Sequence, residues 1–138
     1  MIRIWRVEDI HGYGPYTGRI VDDRIERMVK KHNSDLNQWP STSPLVNPKF
    51  LAWMNTVWSE ISSSYKNDSY GLFRCCFDSR EKLLNWFDAD DLEALFDCDY
   101  KVVNYDVPNN RIMSDDKQCM FFFPSAKLIE KHSIVDIL

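Results

Sequence analysis

Seven polar side chains stand where a ligand-binding protein places its working groups, at strand ends and in loops. Arg6 lies with Arg3 on an opening strand, and His11, Tyr13 and Tyr16 follow in a glycine-rich segment. Ser79 comes directly after an apolar strand, and Gln118 opens another. An arginine's planar fork grips a pyrophosphate through two parallel hydrogen bonds. Tyrosine rings stack on a base or a nicotinamide, and a strand-end amide bonds a ribose. Each residue alone has an ordinary structural role; only their meeting around one hollow makes a site.

Other chemistries find less support. The chain has no GxSxG elbow, no Walker A loop, no GxGxxG, no HExxH and no EF-hand spacing, which removes most enzyme classes that carry a sharp local signature. Of the four cysteines, Cys75 and Cys76 are adjacent, so on a strand they point to opposite faces and cannot share one metal ion. With no CxxC and no HxxxH pair, no metal site is expected. A Cys–His nucleophile can be written with His11, His32 or His132, but the cysteines lie in apolar surroundings where a thiol is inert. The carboxylates Asp88, Asp90, Asp91 and Glu93 read better as helix caps and solvated charge than as a hydrolase pair. The acidic stretch from Asp88 to Asp99 is also suited to meeting a basic protein partner.

These side chains need a frame. Ile2 to Val7 alternates apolar with basic residues and predicts a strand. Glu8 to Gly18 holds three of the four glycines and predicts a turn-rich loop. Helices are expected over 22–32 and 48–62. The second is marked by Asn47 as N-cap, Pro48 at the first position, and Phe50, Met54, Val57 and Ile61 at helical spacing. Ser62 to Ser64 close it. Between them lies a long Pro-rich loop centred on Trp39. Tyr70 to Phe77, apolar around a single Arg74, predicts a central strand. Asp78 and Glu81 have capping-box spacing for a helix over 79–87, and Asp88 restarts a helix over 89–96. Residues 100–107 and 118–123 complete the strands. A turn is expected at Pro108-Asn109-Asn110, and a short helix around Ala126, Leu128 and Ile129.

The expected fold is therefore α+β, one domain over 1–138, with helices packed on a twisted, mainly antiparallel sheet. Length supports this, since 138 residues suit one core. Aromatics at 14%, including five tryptophans, supply ample area to bury. A net charge of −4 disfavours direct nucleic-acid binding. No apolar leader or membrane-length run is seen, so the expected location is cytoplasmic, with reduced thiols.

The opening Arg3-Ile4-Trp5-Arg6-Val7, followed by Gly12-Tyr13-Gly14-Pro15-Tyr16, resembles small bacteriophage-encoded proteins with a basic strand and a Gly-Pro-Tyr loop. The later order of strand, Ser79, Trp-Phe helix, strand, turn and strand is similar to the ADP-ribosyltransferase-like fold. That resemblance implies NAD or ADP-ribose as ligand, with Arg6 as the first motif element, Ser79 as the second and Gln118 as the third. Tyr13, Tyr16 and His11 would line the cofactor. Gln118 stands where the family has Glu, keeping a ribose hydrogen bond and losing the negative charge that stabilises an oxocarbenium-like state. Either Asp115 or Asp116 then supplies the acid, or the protein binds without catalysing. The implied role is a phage accessory or anti-defence protein acting on a host component. The alternative is a non-enzymatic inhibitor that grips a host or defence protein through its acidic and aromatic surface, Trp39 included.

Overall fold

The computed structural model describes residues 1–17, 20–34, 48–61 and 72–138. The loop around Trp39, the Asn47 cap, the helix end at Ser62 to Ser64 and the start of the strand at Tyr70 lie outside the described residues.

Among the described residues six strands form two three-stranded sheets, and each of their ladders is antiparallel. In the first sheet, β3 (Lys101–Val107) runs between β1 (Ile2–Glu8) and β6 (Lys127–Ser133). In the second, β5 (Cys119–Phe122) runs between β2 (Phe73–Cys76) and β4 (Ile112–Ser114). The sheets meet at one bridge, where Trp5 and Phe77 exchange two backbone hydrogen bonds of 2.8 Å. The α+β class holds, while the single sheet expected from sequence is two sheets stitched at this point.

Period-two alternation sorts the strand residues into layers. Ile4 on β1, Val103, Tyr105 and Val107 on β3, and Cys119 and Phe121 on β5 join one core cluster shared by both sheets. The intervening Met120 and Phe122 of β5 turn the other way and pack against Phe50, Met54 and Val57. Those three residues, spaced four and three apart, form the buried stripe of α2 (Pro48–Ile61). The opposite face of the first sheet, through Val7 and Val102, is covered by three helices and a terminal 3-10 turn, Ile134–Ile137. The helices are α1 (Asp23–Ser34), α3 (Arg80–Trp86) and α4 (Ala89–Asp97).

Two local expectations are corrected. The cap of α3 is Ser79, whose hydroxyl accepts the Lys82 amide at 3.1 Å, rather than Asp78. Asp78 instead forms an ion pair with the Lys82 ammonium at 3.0 Å. The capping box belongs to α4, with Asp88 and Asp91 bonding each other's backbone. Where a helix is expected at Ala126, Leu128 and Ile129, Ala126 ends a 3-10 turn and Leu128 and Ile129 lie in β6. The outer edge of β3 carries backbone groups that need partners, and β6 supplies them across a register shift at Asn104/Tyr105. His132 Nε2 lies 2.6 Å from the Asn104 amide oxygen and its ring stacks on Trp5, which fixes the pairing.

Candidate functional site

The layer between the sheets ends in a polar group. Alternation on β1 puts Arg6 and Glu8 on the same face as Ile4, and both are buried, at 9% and 4% exposure. Arg6 Nη1 donates to the Cys75 carbonyl at 2.6 Å, so the arginine reaches from the first sheet to the second. Its Nε lies 3.5 Å from Glu8 Oε2, and that buried nitrogen has no hydrogen-bond acceptor. Glu8 accepts the Tyr105 hydroxyl, 2.9 and 2.8 Å from its two oxygens. From β2, Arg74 donates to the Gly12 carbonyl at 3.2 Å and lays its guanidinium 3.7 Å over the Phe123 ring. Burial lowers the Arg74 pKa, and the nearby Arg6 charge lowers it further. Two guanidinium groups therefore share a desolvated corner with one carboxylate between them.

The loop after β1 closes over this corner. Asp9, itself buried, accepts the amides of His11 at 2.8 Å and Tyr13 at 3.0 Å, folding the segment into a tight turn. Gly12 sits at φ +84°, a left-handed conformation that favours glycine. A side chain at Gly14 would put its Cβ 3.2 Å from Arg6 Nη2, so glycine allows the backbone to approach the guanidinium. The result is a cavity of about 320 Å³ bordered by Arg6, Arg74, Gly12, Gly14, Tyr13 and Tyr16, among others.

Of the residues expected from sequence, Arg6, Tyr13 and Tyr16 meet here. Tyr13 keeps a partly exposed ring at the rim. Tyr16 lends only its ring edge, because its hydroxyl is committed elsewhere: it accepts the Trp86 indole N–H at 2.7 Å and lies 2.6 Å from His32 Nδ1. Burial raises its pKa. His11 contributes its backbone to the turn, and its exposed side chain does not line the cavity. Arg3 is engaged on the surface with Asp106 at 3.0 Å. Ser79 caps α3, away from the lining, and Gln118 lies in the turn between β4 and β5, also outside it. Its backbone exchanges hydrogen bonds with Asp115, and its buried Oε1 has no hydrogen-bond partner among the described residues.

Sequence reasoning left Arg74 out of the site, although its signal was present as the one charge in an otherwise apolar strand. Glu8 and Tyr105 gave no comparable signal, since their meeting depends on the β1–β3 register. Among the described residues no group of three or more His, Cys, Asp or Glu side chains is placed to hold a metal ion. No helix among them is long and apolar enough to cross a membrane.

A family model described as Bacteriophage T4 Y00F protein matches residues 1–135. The chain belongs to that family. The expectation of a phage-encoded protein stands on this match. No curated protein and no solved structure matches the chain. Among the described residues of this chain, desolvated charge, a glycine turn and a cavity coincide at the Arg6–Arg74 corner, which makes it the candidate site.

Proposed function

We propose that this phage accessory protein binds a small phosphorylated ligand, a nucleotide or an ADP-ribose-type molecule, in the cleft between Arg6, Arg74 and the Gly12–Gly14 turn. The observation that carries the proposal is the convergence of two arginines, 68 positions apart, on a cavity whose wall is glycine backbone. Among the described residues the cavity lining holds both arginines and no carboxylate, which suits it to an anion. Arg74 holds the phosphate, Arg6 sets the field behind it, and the Tyr13 ring flanks a base or ribose.

The cavity volume of about 320 Å³ is at the small end for ligand sites, which run from about 300 to 1,000 Å³. That size favours a mononucleotide, or the phosphate-bearing part of a larger molecule, over a whole dinucleotide. Binding is proposed here without group transfer, because Ser79 and Gln118, the groups a transfer would need, do not line the cleft.

Calorimetry and thermal shift with AMP, ADP-ribose and NAD test this reading. A ligand at a hundred times its dissociation constant adds about 2.7 kcal/mol of stability. Arg74→Ala is expected to abolish the shift, and Tyr13→Ala to lose about 1–3 kcal/mol of affinity if a base stacks there. No shift with any of the three, or full affinity in Arg74→Ala, overturns the proposal.

A further inference from the structure

On the far side of the helical layer, α3, α4 and the terminal 3-10 turn leave a groove of about 490 Å³. Its floor is apolar: Leu84 and Phe87 come from α3 and the residue after it, Leu92 and Phe96 from α4, and Val135 and Leu138 from the chain end. Phe96, Val135 and Leu138 are 45%, 54% and 66% exposed, so three large apolar side chains from two elements form one open patch. Single exposed apolar residues are ordinary, whereas a contiguous patch with a polar rim marks an interaction surface.

The charged lining of the groove is acidic: among the described residues it consists of Asp88 and Glu93. Lys31 engages Asp88 at 2.8 Å and Arg24 engages Asp97 at 2.6 Å on the neighbouring side of α4. Among the described residues Asp90 and Glu93 have no ion-pair partner, and both are exposed on α4. A second copy of this chain would bring the same acidic rim against itself in a two-fold contact. An anionic lipid surface meets the same repulsion.

We propose that this groove docks a partner protein through a short apolar segment flanked by Lys or Arg, with the apolar side chains entering between Phe96 and Leu138 and a cation meeting Glu93. The surface lies apart from the Arg6–Arg74 cleft, shares no lining residue with it, and stands whether or not that cleft binds a nucleotide.

The test uses the full chain and a pair of synthetic amphipathic peptides, one carrying Leu on one face and Lys on the other, its counterpart carrying Glu in place of Lys. Fluorescence anisotropy is expected to show binding of the Lys peptide only. Phe96→Ser and Val135→Ser, both exposed and on different elements, are expected to weaken it about tenfold, the loss typical of removing an apolar anchor. Glu93→Lys is expected to reject the Lys peptide and to gain affinity for the Glu peptide. Absence of binding overturns the proposal, as does binding indifferent to Phe96→Ser and Val135→Ser. A concentration-dependent dimer lost in both serine variants overturns it in favour of a second copy.

Discussion

His32 is a fully enclosed titratable side chain away from the cleft, with no solvent exposure. The Tyr16 hydroxyl accepts the hydrogen bond of the Trp86 indole N–H and so directs its own hydrogen toward His32 Nδ1. The other ring nitrogen therefore carries the hydrogen and points at Asp91, 3.5 Å away. Burial lowers the His32 pKa first; Lys31 adds to that, while Asp91 and Asp88 oppose it. The folded-state pKa lies below the unfolded one near 6.5, so the unfolded chain takes up this proton first as pH falls. The stability this histidine contributes is full above about pH 6.5 and is lost on acidification, with a slope of at most about 1.4 kcal/mol per pH unit for one proton. Chemical denaturation between pH 7.5 and 5 is expected to show this loss in the wild type and a flatter profile in His32→Gln. An identical slope in both proteins would assign the acid sensitivity elsewhere.

At the scale of elements, Ser79 separates two roles that the sequence left joined. Its hydroxyl satisfies the Lys82 amide at the start of α3, and losing an N-cap typically costs about 1 kcal/mol. Ser79→Ala is expected to lower stability by about that amount in urea melts and to leave nucleotide affinity at the Arg6–Arg74 cleft unchanged. A large drop in nucleotide affinity with intact stability would return Ser79 to the binding site. The β6 strand carries the complementary lesson. Lys127 to Lys131 is exposed along its whole length, so no apolar periodicity marks it, and its Leu and Ile residues suit a helix equally well. The unpaired edge of β3 decides the matter by offering backbone partners.

For the whole molecule, the junction between sheets at Trp5 and Phe77 matters most. Phe77 bonds to β1 through its backbone, and its buried ring packs against Trp86 and Phe87 of the helical layer. It thus ties together both sheets and the helices, and the Arg6–Cys75 contact that shapes the cleft lies nearby. Phe77→Ala is expected to cost about 3–5 kcal/mol, the range for removing a buried aromatic ring. Because the two sheets share one apolar layer, loss should appear as a single cooperative transition with a lower midpoint. Two separated transitions would show that the sheets fold independently.

The sequence by itself determined the elements whose signals are local. The α2 stripe of Phe50, Met54 and Val57, the alternation of β3, the apolar run of β5 and the helix restart at Asp88 all follow from side-chain pattern and capping chemistry, which a linear reading contains. It also marked Arg6, Tyr13 and the glycine turn as belonging together, since they lie close along the chain. Tertiary structure alone decided that Arg74 and Tyr105 join them, that Tyr16 turns its hydroxyl into the core, and that Ser79 and Gln118 lie elsewhere. Those outcomes depend on strand register and on the angle between two sheets, and both are fixed by packing between residues far apart in the chain. Local sequence period records which face of an element is buried; it does not record what that face meets.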